Sequence, residues 1–125
     1  MLRGIRDVFN NNLGSNTTYI ANKYPKNAQV IISNGTINIK EFEIHKDGIL
    51  KLKLDSGTID EQFEVPSGSC HKKERYNSRD HLTIITNDNK VVCKNYTMPA
   101  NQSYIVSENG ELKRSEYGGS IWEEE

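Results

Sequence analysis

The chain has 125 residues, 34% of them hydrophobic, and a formal net charge of -1. That length suits one hydrophobic core rather than two, so a single domain over 1–125 is expected. Near-neutral charge excludes a protein held on nucleic acid by bulk basic excess, because counterion release needs such an excess. No apolar run approaches the roughly 20 residues that cross a bilayer as a helix.

Leu2, Ile5, Val8 and Phe9 recur at the three- and four-residue spacing of one helical face. Asn10 to Asn12 and then Gly14 supply residues that tolerate a left-handed helix cap. A short amphipathic helix is therefore expected within 1–14. Arg3, Arg6 and Asp7 interrupt the same stretch, which does not read as a secretory leader, so a cytoplasmic location is expected, with no membrane contact.

From residue 15 to 117 the pattern is β. Thr18 to Ala21 fit either a strand or one helical turn, and Pro25 disfavours helix at Tyr24. Val30, Ile31 and Ile32 form an apolar run, and Asn34-Gly35 after it reads as a hairpin turn. Ile37 and Ile39 alternate on one face. The alternation slips at Lys40-Glu41 and resumes at Phe42 and Ile44, which predicts a bulge. Asp47-Gly48 turns the chain into Leu50, Leu52 and Leu54, with Lys51 and Lys53 facing out. Ser56-Gly57 turns it again into Ile59, Phe63 and Val65. Glu61 falls in that inward row and is expected at a sheet edge, in a polar contact, or at a site.

Residues 66–80 show no apolar period and read as a long loop. Strands are then predicted over 81–86, 90–98, 103–107 and 111–117, with Asn87-Asp88-Asn89 and Asn109-Gly110 as turns. Residues 118–125 read as a flexible acidic tail carrying the only tryptophan. Seven to nine short strands with regular turn spacing predict a mainly β fold, an antiparallel β-sandwich or barrel.

Three groups of residues invite a functional reading. The basic stretch offers His71, Lys72, Lys73, Arg75, Tyr76, Arg79 and His81, a set suited to a phosphate-containing ligand such as a nucleotide or RNA. Cys70, His71, His81 and Cys93 carry zinc-ligand chemistry without knuckle spacing, so no metal and no cofactor is expected. His71 or His81 with Arg75, Tyr76 and Glu61 would make a small metal-independent ribonuclease. The two cysteines are expected as free thiols, with Cys93 buried as a small hydrophobe. Leu2, Ile5 and Phe9 at one end, and Ile121 and Trp122 at the other, are apolar groups in polar surroundings and suit a protein partner or self-association.

No catalytic signature is present: there is no nucleophile elbow and no phosphate loop. The expected role is a non-enzymatic protein-binding or assembly domain. The small size and Asn-rich composition suit a phage or mobile-element accessory protein, either a host-protein inhibitor or a virion component. The phosphate-ligand binder and the ribonuclease are the alternatives.

Overall fold

The computed structural model describes residues 16–75, 80–99 and 102–115. The expected helix within 1–14 and the tail 118–125 lie outside them. The described residues are mainly β, with strands β1 (Asn16–Asn22), β2 (Ala28–Asn34), β3 (Asn38–Ile44), β4 (Leu50–Ser56) and β5 (Ile59–Val65). They continue with β6 (Cys70–Arg75), β7 (Asp80–Thr86), β8 (Val91–Thr97), β9 (Ser103–Val106) and β10 (Leu112–Ser115).

The organising strand is β2. Ala28 to Ser33 are all buried, on both faces of the strand. A strand without a polar face must be covered on both sides. β2 accordingly takes an inner position in a four-stranded sheet ordered β5-β2-β7-β8, with β5 and β7 antiparallel to it. A first four-stranded sheet, ordered β10-β9-β1-β6, covers one of its faces. Ile20, Tyr104 and Val106 of that first sheet share one core with Ala28, Val30, Ile32, Val65, Leu82 and Ile84 of the second. Tyr96 and Tyr104 meet edge to face at 5.7 Å between ring centroids.

A two-stranded ribbon of β3 and β4 covers the other face. Its Ile39, Phe42, Ile44, Leu52 and Leu54 pack with Ile31, Ile37, Leu50 and Ile59. The register steps from Ile39 opposite Leu54 to Glu41 opposite Lys53. Lys40 is therefore the extra residue, and the bulge expected there restores one apolar face on β3. On the ribbon's outer side Glu41 faces Lys53 and Glu43 faces Lys51, which are matched cross-strand charges.

Side-chain amides of the second sheet hold this ribbon by its backbone. Asn95 Oδ1 accepts from Ile37 N at 2.9 Å, and its Nδ2 donates to Ile37 O at 2.8 Å. Gln62 Nε2 donates to Leu50 O at 3.0 Å, and Gln29 Nε2 to Gly48 O at 2.9 Å. Gly57, at φ 94°, lets the chain leave β4 against Thr36 and Ile37; a Cβ there would stand 2.7 Å from Thr36 O.

Two expectations need correction. Residues 66–80 are not one long loop, because 70–75 form β6, paired antiparallel with β1. The backbone ladder and an edge position suffice for a strand whose outer face is charged, so no apolar period is needed. Asn34-Gly35 does not close a hairpin, because β2 pairs with β5 and β7 and has no edge left for β3. The other strand pairs are antiparallel, as expected, and β1 runs parallel to β9. No helix among the described residues is long and apolar enough to cross a membrane.

Asn95 sits at φ 53°, so it supplies both a left-handed residue and two backbone bonds. Asn95→Ala is expected to cost about 2–3 kcal/mol in urea unfolding. Asn95→Gly should recover the backbone part only, and two variants as stable as the native chain would contradict the latch.

Candidate functional site

The basic stretch is split by strand alternation. On β6, His71 and Lys73 face inward while Lys72 stays exposed on the outer face. The His71 ring stacks on Phe63 with centroids 3.9 Å apart and planes 24° from parallel. Lys73 pairs with Glu61, both about a third exposed at 33%. These two contacts join the β5 edge of one sheet to the β6 edge of the other. Glu61 thus occupies the apolar row of β5 because that row ends at a rim where Lys73 meets it.

His81 lies on the other sheet. It stands in register with Ser33 and Thr97, on the β7 face turned away from the core shared with the first sheet. The structure therefore does not bring His71 and His81 together in one anion site. The backbone of Arg75 ends β6, and Tyr76 and Arg79 lie outside the described residues, as do Leu2, Ile5, Phe9, Ile121 and Trp122.

Both cysteines are free thiols. Cys70 is exposed on the outer face of the first sheet, in register with Ala21. Partial burial raises its pKa, opposed by a backbone hydrogen bond at Ile20. Cys93 packs against the shared core and donates to Leu82 O at 3.6 Å. Burial pushes its thiol up to about 12, the hydrogen bond at Ile84 acting the other way. Among the described residues no group of three or more His, Cys, Asp or Glu is placed to hold a metal ion.

A second polar cluster ties turns together. Tyr24 Oη and Thr86 Oγ1 both donate to the Asp88 carboxylate. The bond from Thr86, then that from Tyr24, holds the Asp88 pKa below its ordinary value. The same contact raises that of Tyr24. Asp88 is exposed and Tyr24 is half-buried against the shared core, so the cluster reads as a turn fastening.

A better candidate lies where the ribbon stops short. It covers β2 and β5, and β7 and β8 continue beyond it. A groove of about 370 Å³ remains, lined by Ile39, Lys40, Glu41 and Phe42 of β3, Thr83 and Ile85 of β7, and Val91 and Lys94 of β8. Two register shifts against β7 let β8 send Val91 and Lys94 to this side while Val92, Cys93 and Tyr96 pack on the shared core. Val91 is 49% exposed. Glu41 faces Lys53 across the ribbon, and Lys40 and Lys94 have no ion-pair partner among the described residues. Sequence reasoning passed over this groove. Its one trace is the adjacent pair Val91-Val92, two apolar residues that strict alternation cannot send to one face.

No family model matches the chain, and neither a curated protein nor a solved structure matches it.

In the native state a thiol reagent is expected to modify Cys70 at once and Cys93 only on unfolding. An unfolded Cys93 releases its proton near 9.0 and the folded one near 12. The stability this contributes is whole below the first value and lost as pH rises towards the second. Cys93→Ala should flatten that alkaline slope in urea unfolding, and equal slopes would refute the assignment.

Proposed function

We propose that the chain is a non-enzymatic protein-binding domain, a small β-sandwich with a third, two-stranded layer, that takes an extended segment of a partner into the groove between β3 and the β7–β8 pair. The observation that carries this reading is the groove's composition. Its apolar floor of Ile39, Phe42, Ile85 and Val91 is rimmed by Lys40 and Lys94, neither held in an ion pair among the described residues. Such a surface suits a segment that inserts a large apolar side chain and sets a carboxylate beside it.

The other readings draw less support from the geometry. The ribonuclease reading sets one histidine to work with Glu61, whereas His71 is stacked on Phe63 and Glu61 is paired with Lys73, so both are engaged in contacts between the sheets. An anion site needs converging cations, whereas Lys72 and Lys73 leave β6 on opposite faces and Lys73 is already paired with Glu61.

The test is selection of random peptides on the immobilised full chain, followed by affinity measurement on variants. Enriched peptides are expected to combine an aromatic or large aliphatic residue with an adjacent Asp or Glu. Phe42→Lys and Val91→Asp should each weaken them tenfold or more, about 1.4 kcal/mol. Lys94→Glu should weaken acidic peptides and spare neutral analogues. Peptides that bind these variants and the native chain alike would overturn the reading.

A further inference from the structure

The ribbon layer is two strands wide, and the sheet beneath it is four. β4 lies towards β5, whose Gln62 donates to Leu50 O. β3 lies towards β8, whose Asn95 bonds both Ile37 N and Ile37 O. The layer therefore stops at β3, and beyond that edge Thr83, Ile85, Val91 and Lys94 line the groove. Neighbouring strands are spaced by about 4.8 Å. One further strand beside β3 would stand over β7 and β8, where the layer now ends.

The hairpin fixes which backbone groups this edge offers. His45 N donates to Ile49 O at 2.9 Å, and His45 O accepts from Gly48 N at 2.9 Å. His45 thus turns both groups to the β4 side. Backbone direction alternates along a strand, so Glu43 and Glu41, opposite Lys51 and Lys53, turn theirs to β4 as well. Phe42 and Ile44, opposite Leu52 and Leu50, fall in the non-hydrogen-bonded pairs. Their N–H and C=O groups point away from β4, to the edge that overhangs the groove. Among the described residues β4 is the one strand paired with β3. The side chains of Phe42 and Ile44 meanwhile pack inward with Ile31 and Ile37. The same residues offer backbone groups sideways and apolar surface below.

β8 also borders the groove, but two register shifts and Asn95 at φ 53° put its backbone groups out of line for a ladder. A second copy of β3 suits the edge poorly. Antiparallel registers that pair Phe42 with its copy, or with Ile44, set Glu43 opposite Glu41 or opposite its own copy. A foreign segment carries no such conflict.

Resting on the groove reading, we infer that the partner segment enters as a β-strand, added to the ribbon at the free edge of β3 and held by the N–H and C=O groups of Phe42 and Ile44. Such a segment carries an apolar residue at every second position. Those side chains lie on the inner side of the ribbon layer and fill the hollow over Ile85 and Val91. The intervening ones face solvent. Backbone bonds supply affinity whatever the sequence, and the hollow selects the side chains.

The probe is the tightest peptide enriched on the immobilised full chain whose binding Val91→Asp weakens. Single N-methyl groups, placed at successive residues, each remove one backbone donor. Affinity is expected to fall about tenfold or more at alternate residues and to change little between them. Loss at the apolar residues would mark antiparallel addition, and loss at the intervening ones parallel addition. A profile without this alternation, in a peptide that Val91→Asp still weakens, would overturn strand addition and leave the groove reading standing. If Val91→Asp weakens no enriched peptide, both fall. A native chain that dimerises in sedimentation velocity, and stays monomeric as an Ile44→Pro variant with native circular dichroism, would also overturn the inference, giving the edge to a second copy.

Discussion

The structure depends on one strand having no polar side. β2 carries Val30 and Ile32 on one face and Ile31 on the other, and water is excluded from both. At roughly 25 cal/mol per Å² of apolar surface, leaving either face open would cost several kcal/mol. One face is met by Ile20, Tyr104 and Val106 of the first sheet, the other by the β3–β4 ribbon. The layer order follows from that requirement. So does the departure from hairpin pairing at Asn34-Gly35, since an inner strand has both edges occupied by β5 and β7 before β3 begins.

The ribbon solves the second half of the problem with little backbone pairing to the sheet beneath it. Apolar packing supplies the attraction, and amide side chains supply the position. Gln29, Gln62 and Asn95 each reach a backbone group of the ribbon, and Gln29 is itself buried and also bonded to Glu64 and Asn87. A buried amide left unpartnered costs about 1–3 kcal/mol, so these contacts select one placement of the ribbon over a slide along the sheet. The groove is the remainder of that placement. Because the ribbon is pinned over β2 and β5, the outer side of β7 and β8 is only partly roofed, and its apolar residues line a hollow.

Local pattern carried much of the fold. Turn residues and period-two alternation located β2 to β5 and β7 to β10 within a few residues. The stutter at Lys40 was readable because a broken alternation that resumes can have one buried face only if a residue is bulged out. Glu61 was flagged by its row and met its cation at a sheet edge. β6 was missed for a physical reason: Cys70 to Arg75 bury little, so the strand owes its existence to the ladder with β1, a partner some fifty residues away that leaves no mark in the local sequence. Long-range pairing hid the groove as well, since β3, β7 and β8 meet there from three separate stretches. The basic residues looked like one cluster because they are adjacent in sequence, and a strand sends adjacent residues to opposite faces.

The two outer faces of the molecule therefore differ in kind. Over the second sheet, Ile85 and Val91 border a hollow whose lysines are unspent and whose Val91 is half exposed. Over the first sheet, Ala21 and Ile105 are sealed although the described strands on that side offer mostly small or polar neighbours. A face already dry gains nothing by burying apolar surface again. A face with exposed apolar area and unpaired charge has both terms still to gain. We therefore propose the side bearing β3, β7 and β8 as the place for a partner.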